Sequence, residues 1–583
     1  MLKEKIHSQL SEICQKEFGV VPDFTVEHPA DPAHGDYASN IAMVLAREVG
    51  KNPMKIAAKI VSGMESGVSS LEKIEVAGPG FINFWLSKKF LISQLSARTS
   101  LAEPPSKGKK YMVEFAHPNT LKLFHIGHLR NIALGESVVR LLESQKIKVV
   151  RANYQGDVGL HIAKCLWALG KLKTQNSKLK TLKEKINLLG YAYAKGNKAY
   201  DEDEKAKKEI VELNKKIYEK NPQIMPLWKK TRQWSLDYFE EIYKRVNTHF
   251  DRYYFESEVA DSGKQIVWES LKKDVFEKSE GAVIFNGEKF GLHKRVFITK
   301  DDFPTYEAKD MGLARLQFSE YNLDKCIHVV GPEQKGYFAV VFKALEFTEP
   351  KTKGKEFHLE YGWVRLKEGK MSSRTGSVVT ASWLLDEIKK RVFPMIDVDK
   401  EYSEREKEQI AEKVTIAAAK YSLLKFAPNT EIAFDIDESI SLTGNSGPYL
   451  QYTFARTQSV LRKNQETKGL KNRRTEKPKN RKIVPQFLSS SVSQLKPEEL
   501  AILRTLYKFP EIVAEATESY TPNLICNFLF DLAQKFNTFY EKLPILKAES
   551  EEVWNLRLNL TTATGQIIKD GLYLLGIEVP ERM

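Results

Sequence analysis

Long hydrophobic runs are missing from this chain of 583 residues. Although 42% of it is hydrophobic, no apolar stretch approaches the ~20 residues needed to span a bilayer. The start, Met1-Leu2-Lys3-Glu4-Lys5-Ile6-His7-Ser8-Gln9-Leu10, lacks the apolar core of a signal peptide, and its early glutamate argues against a transit peptide. Cysteine is scarce as well. The four cysteines, Cys14, Cys165, Cys326 and Cys526, are scattered, without a C-x-x-C pair, and H-E-x-x-H is absent. Structural zinc is therefore disfavoured, no metal site is expected, and the thiols read as reduced, hence a cytoplasmic protein. No internal repeat is present.

Positive charge is what the chain has in excess: 90 Lys and Arg against 76 Asp and Glu, a net +14. That balance suits a polyanionic partner, with a generally basic protein as the alternative reading. The chain is too long for one core, so about three domains are expected.

The densest chemistry follows Tyr111-Met112-Val113-Glu114-Phe115, an alternation that predicts a strand. Next comes His117-Pro118-Asn119-Thr120-Leu121-Lys122-Leu123-Phe124-His125-Ile126-Gly127-His128, and then Ile132, Leu134, Val138, Val139, Leu141 and Leu142 at helical spacing. The histidines thus fall at a strand-to-helix turn. Unpaired N–H groups and the positive dipole end of a helix attract phosphate oxygens there, and imidazoles three residues apart share one side of the first turn. Gly127 removes a side chain from the approach. Taken alone, His125-x-x-His128 also reads as half of a metal site or as surface histidines. Far downstream stands Lys370-Met371-Ser372-Ser373, flanked by Gly369 and Gly376.

Together these segments resemble the two signatures, HIGH and KMSKS, of the class I aminoacyl-tRNA synthetases. Four further stretches resemble the arginyl members: Gly35 to Ala42, Val76 to Phe84, Gly444 to Tyr452 and the terminal Pro580-Glu581-Arg582-Met583. The resemblance covers nearly the whole chain. It implies ATP-dependent attachment of L-arginine to its tRNA through an arginyl adenylate, with no prosthetic group and with Mg²⁺ held mainly by ATP.

The resemblance also implies roles. His125, His128 and Lys370 would be catalytic, binding phosphates and stabilising developing charge. His117, Gly127, His128, Gly331, Met371 and Ser372 would line the ATP site. Ser373 replaces the usual second lysine of KMSKS, and Lys122 sits where arginyl members of this kind carry a lysine thought to stand in for it. For arginine, Tyr306 and Asp310, spaced to share a helical face, and Glu256 would face the guanidinium, which needs carboxylate acceptors. Asn119 and Gln334 would take the amino acid's own amino and carboxyl groups, with Glu333 as the alternative to Gln334. Asn40, Tyr449, Tyr452 and Arg456 would contact tRNA, aromatic planes and cations suiting unstacked bases. Phe454 reads better as helix packing.

Residues 1–104 are expected as an α+β domain that packs against the tRNA elbow. Residues 109–381 are expected as a Rossmann-like, doubly wound parallel-sheet domain, with strands at Tyr111 to Phe115, Lys148 to Ala152 and Cys326 to Val330. It carries a lysine-rich helical insertion over about 170–246, in which no chemistry is visible. Residues 382–583 are expected as a helical anticodon-binding domain, interrupted by a mobile basic loop over about 462–495. A monomer is expected, without membrane attachment. Two other readings remain open: a class I synthetase for another amino acid, and a catalytically silent RNA-binding relative. Glu256 and Asp310 argue against an acidic substrate, the missing zinc ligands against cysteine, and the intact signatures against silence.

Overall fold

The computed structural model describes residues 2–64, 70–97, 108–172, 179–367, 379–396, 402–472 and 495–583. Its centre is a five-stranded sheet in the spatial order Glu356–Glu360, Lys325–Val330, Lys110–Glu114, Lys148–Gln155, Arg252–Phe255, and every neighbouring pair is parallel. Numbered along the chain and read from the other edge, that order is 3-2-1-4-5, five strands of the six in the doubly wound order. The strand order reverses between Lys110–Glu114 and Lys325–Val330, so the crevice at their carboxyl ends is the topological switch point, where such sheets bind ligands. The three strands expected from the sequence are present, two of them beginning one residue earlier than expected and Lys148–Gln155 running three residues further.

The helix that follows the first strand, Ile126–Ser144, is buried over nearly its whole length. It can press on the sheet because Gly135 carries no side chain: a Cβ there would lie 2.4 Å from the Phe115 ring. Its other faces meet the C-terminal helices. Ser137 donates to the Leu574 carbonyl at 2.9 Å and Arg140 to that of Tyr573 at 3.0 Å. Arg130, 2% exposed, spends its guanidinium on the carbonyls of Gly362, Leu423, Pro428 and Thr430. It thereby ties this helix to the parallel strand pair Val364–Leu366 and Ile432–Phe434.

Residues 2–64 and 70–97 build a four-stranded antiparallel sheet, order Val26–Glu27, Tyr37–Ser39, Phe81–Leu86, Leu71–Ala77, packed against helices. This unit docks on the C-terminal helix Pro497–Ser519, where Glu511 receives hydrogen bonds from Tyr37 at 2.8 Å and from His28 at 3.0 Å. The C-terminal region is helical: Glu404–Leu424, Gly447–Asn472, Pro497–Ser519, Asn523–Lys542 and Glu551–Leu574. One apolar core runs from the N-terminal sheet through the signature helix into these helices.

The insertion consists of helices Leu182–Glu202, Glu204–Tyr218 and Met225–Arg245 around their own core of Ile186, Leu189, Ile210 and Trp234. One expectation needs correcting. The loop expected from Arg462 onward is helical as far as Asn472, because Lys, Arg, Gln and Glu are good helix formers and no proline interrupts them. Residues 473–494 of that segment lie outside the described residues.

Candidate active site

The chain leaves the first strand in strained backbone. Ala116, His117 and Leu121 hold φ of 77°, 46° and 64°, a region that side chains disfavour. Neighbouring elements impose this path. Asn131 accepts from the Ala116 N–H at 2.6 Å and donates to the Val329 carbonyl at 2.6 Å, clasping the two strands that flank the switch point. Thr120 N–H donates to the Gly156 carbonyl at 2.8 Å, and Leu121 N–H to Ser235 Oγ at 2.9 Å. Ser235 belongs to the insertion, in which the sequence had offered no chemistry.

His125 and His128 cap the signature helix reciprocally. The Gly127 N–H donates to His125 Nδ1 at 3.1 Å, and the His125 N–H to His128 Nδ1 at 3.1 Å. The rings stack with centroids 3.8 Å apart. Accepting at Nδ1 fixes both neutral rings as the Nε2–H tautomer. Burial, with Lys122 nearby, lowers the pKa of His125 to about 4; burial, then His125 and His117, holds that of His128 well below the usual range. At neutral pH the pair therefore offers two uncharged N–H donors. Gly127 also has an internal reason: a Cβ would lie 2.9 Å from the His125 ring.

The second signature residues, Lys370, Met371, Ser372 and Ser373, lie outside the described residues. The chain on either side is pinned to the first signature and to the strand pair. Ile126 N–H donates to the Val379 carbonyl at 3.1 Å, Ala381 N–H to that of Phe124 at 2.9 Å, and Lys367 meets Asp435 at 2.8 Å.

Across the crevice two helices, Glu256–Leu271 and Tyr306–Glu320, approach backbone to backbone through Gly263 and Gly312. Cβ atoms there would lie 1.9 Å from the Ala308 carbonyl oxygen and 2.4 Å from that of Val259. This contact assembles the carboxylates. Asp310 accepts from the Tyr337 hydroxyl at 2.6 Å, and burial, opposed by that bond and assisted by Glu114, pushes its pKa up to about 7. Glu256 is matched by a resident cation: Lys309 Nζ lies 2.7 Å from its Oε2, with both side chains about 4% exposed, so its charge is already balanced. Tyr306 is 55% exposed, and its ring lies under Lys309 at 4.3 Å.

Asn119 faces Gly156, where a Cβ would stand 2.1 Å from its Oδ1. His117 Nε2 donates to the Glu114 carbonyl, 3.2 Å away. Gly331 ends the fourth strand, and the carboxylate of exposed Glu333 turns back over it, while Gln334 is half-buried in the short helix Pro332–Gln334. The structure thus brings His117, Asn119, Lys122, His125, Gly127, His128, Glu256, Tyr306, Asp310, Gly331 and Gln334 to the carboxyl edge of one sheet. Asn40, Tyr449, Tyr452 and Arg456 lie elsewhere. Asn40 Oδ1 accepts from Thr25 N–H at 2.9 Å. Tyr449 is half-buried, its ring edge-on to Phe530 and its hydroxyl bonded to Asn537 at 2.9 Å. Arg456 stacks between Tyr452 and Tyr540, 5.1 and 4.8 Å from their centroids. Phe454 is buried, as expected of a packing residue.

Sequence reasoning passed over several residues. Asp157, wholly buried, accepts from Arg232 at 2.9 Å and from Ser257 N–H and Oγ at 2.8 and 2.7 Å, and so fixes the start of the helix that carries Glu256. His161 lies beside Asn119 and Gly156 with a buried Nε2 that has no hydrogen-bond partner among the described residues, and burial, with Lys122 and Lys309 nearby, lowers its pKa to about 3. The run Gly156-Asp157-Val158-Gly159-Leu160-His161 at a strand's carboxyl end was the available signal. Tyr540, far from Arg456 in the chain, gave none. Cys326, His328 and Glu356 bring ligand atoms within 4.8 Å of one another, but both His328 nitrogens are engaged, by Glu114 at 3.1 Å and Glu356 at 2.8 Å. No imidazole lone pair is left for a metal in that arrangement.

Comparison with known proteins joins this geometry to a family. Residues 91–436 match the model described as tRNA synthetases class I (R), catalytic domain; residues 1–86 match the arginyl tRNA synthetase N terminal domain, and residues 450–583 the DALR anticodon binding domain. The arginine–tRNA ligase of Fusobacterium nucleatum is 32% identical over 559 residues, covering 94% of this chain and 93% of that one. That of Treponema denticola is 31% identical over 601 residues, covering 100% and 98%. The Thermus thermophilus arginyl-tRNA synthetase superposes with a TM-score of 0.82 at 25% identity, covering both chains completely. The Plasmodium falciparum enzyme, at 22% identity and a TM-score of 0.79, covers 100% of this chain and 99% of its own and shares the fold.

Proposed function

The chain belongs to the arginyl-tRNA synthetases and charges tRNA with arginine, and we propose that it does so at the switch-point crevice, one lip holding ATP and the other arginine. The observation that carries this reading is the pairing, at one sheet edge, of two neutral Nε2–H donors at a helix N-terminus with a half-buried carboxylate, Asp310, that has no ion-pair partner among the described residues.

The ATP lip reads as follows. His125 and His128 donate to phosphate oxygens, and uncharged rings do so without a proton of uncertain ownership. His117, Gly127 and Gly331 shape the nucleotide's bed, and Lys370, Met371 and Ser372 close over it from the second signature. Mg²⁺ would be held mainly by ATP's own oxygens; Glu114, beside His117, is committed to His328 and Gln317. Lys122 supplies the cation that Ser373 does not.

On the arginine lip Asp310 takes the guanidinium, in a wall completed by Tyr306 and by the neutralised Glu256–Lys309 pair. Asn119 and Gln334 hold the amino acid's own amino and carboxyl groups. With both substrates placed, the arginine carboxylate attacks the α-phosphorus in line and pyrophosphate leaves, so positioning and charge stabilisation do the work. The resulting adenylate then passes arginine to the tRNA's terminal ribose.

For tRNA, Tyr452, Arg456 and Tyr540 form an exposed stack in the C-terminal domain on which an unpaired base can sit. Tyr449 backs that surface through Asn537, and the N-terminal unit bearing Asn40 meets the elbow. Domain limits near residues 104 and 381, a monomer and a cytoplasmic location complete the reading. Among the described residues no helix is long and apolar enough to cross a membrane. The test is ATP–pyrophosphate exchange across the amino acids, with and without tRNA. Exchange with arginine alone, and only once tRNA is present, is expected. A stronger response to another amino acid would overturn the arginine lip, and exchange without RNA would overturn the expected requirement for tRNA.

A further inference from the structure

The helical insertion touches the approach to the first signature at three consecutive residues. Ser235 takes the Leu121 N–H at 2.9 Å. Gly190 seats on Leu123, whose Cδ1 would lie 3.2 Å from a Cβ at that position. Between them, Lys122 Nζ stands 5.1 Å from the centroid of the Tyr193 ring. Gly190 and Tyr193 are three residues apart on helix Leu182–Glu202 and so share a face. The glycine lets that face come close, and the tyrosine fills the space beside the lysine.

A ring face attracts an ammonium within about 6 Å through its quadrupole, yet carries no net charge and takes none of the three N–H donors in a salt bridge. Lys309, in the same crevice, shows the contrast. Its ring, Tyr306, is joined by Glu256 at 2.7 Å, and its charge is cancelled. Lys122 makes no ion pair among the described residues, so its charge is held in place and left available.

We infer that Tyr193 is a positioning residue for Lys122, the insertion supplying a ring that orients the substitute lysine towards the triphosphate without neutralising it. This rests on the role proposed above for Lys122. It gives the insertion a task in catalysis.

The test is a double-mutant cycle on the full-length enzyme with saturating tRNA, read as kcat and as KM for ATP and for arginine. Tyr193→Leu is expected to lower kcat roughly five- to tenfold with both KM values within about twofold, the scale of one desolvated cation–π contact. Tyr193→Phe, which keeps the ring face, should restore kcat to within about twofold of the parent. In a Lys122→Ala background Tyr193→Leu should add almost nothing. Tyr193→Met, unbranched and able to adapt its shape but without a ring, repeats the measurement should leucine disturb the packing, with thermal denaturation as the check. Full additivity with Lys122→Ala, a Phe variant as impaired as Leu, or a loss confined to a salt-sensitive KM for tRNA would overturn the inference. A near-normal kcat for Lys122→Ala alone would instead overturn the proposed role of the lysine.

Discussion

The two lips of the crevice handle buried charge in opposite ways. On the ATP side the two histidines are neutral donors: burial keeps His125 and His128 uncharged, and the cation there, Lys122, leans on a ring. On the arginine side the groups are carboxylates, one matched by Lys309 and one, Asp310, kept close to half-protonated at neutral pH until a cation arrives. The difference follows from what each lip receives. A triphosphate brings its own negative charge and needs N–H donors and positive potential. A guanidinium brings a cation and needs a charge to meet.

Removing the carboxylate that has no ion-pair partner among the described residues should break the contrast most. Asp310→Ala is expected to raise the arginine KM about 10³-fold, since an unpaired buried ion costs about 3–5 kcal/mol, while the KM for ATP moves little; steady-state arginylation with each substrate varied in turn measures both. An arginine KM within a few-fold of the parent would show that the carboxylate lip is misassigned.

Lys122→Ala probes the other lip. Here kcat should fall about 10²-fold with both KM values nearly fixed, the pattern of a contact made in the transition state. Adding Ser373→Lys should recover part of kcat if the two positions serve one charge site.

A pH titration sharpens the comparison without altering a residue. Asp310 has its pKa near 7 in the free enzyme, so its ionised, guanidinium-binding form is lost as pH falls through that value. The kcat/KM for arginine should therefore drop about tenfold between pH 8 and pH 6, following the free enzyme's titration. Over the same window the KM for MgATP should stay flat, because His125 and His128 remain neutral throughout. In Asp310→Asn the arginine profile should flatten.

The smallest effect is expected at Gly156→Ala. A Cβ 2.1 Å from Asn119 Oδ1 must turn that side chain away, so the arginine KM should rise about fivefold, the scale of one lost hydrogen bond, with ATP kinetics unchanged. A rise in the ATP KM instead would place Asn119 on the ATP lip and overturn its assignment to arginine.

Local chemistry was readable directly. The strand, the turn with its histidines and the buried signature helix follow from alternation and spacing within about thirty residues, because those periods are backbone geometry. The family resemblance supplied Glu256, Tyr306 and Asp310 as candidates. The sequence by itself determined, then, which groups are available and the class of reaction they suit.

What only the tertiary structure decided is which of those groups are free. Lys309 is adjacent to Asp310 in the chain yet points to Glu256, because Gly263 and Gly312 let two helix backbones nearly touch. Lys122 keeps its charge because a helix some seventy residues away presents a ring where a carboxylate would have cancelled it. Asp157 and His161 came into view only when the second strand was laid beside the first. Net charge at a buried site is a sum over neighbours distant in sequence, so no local pattern encodes it; the packing of helices across the switch point does.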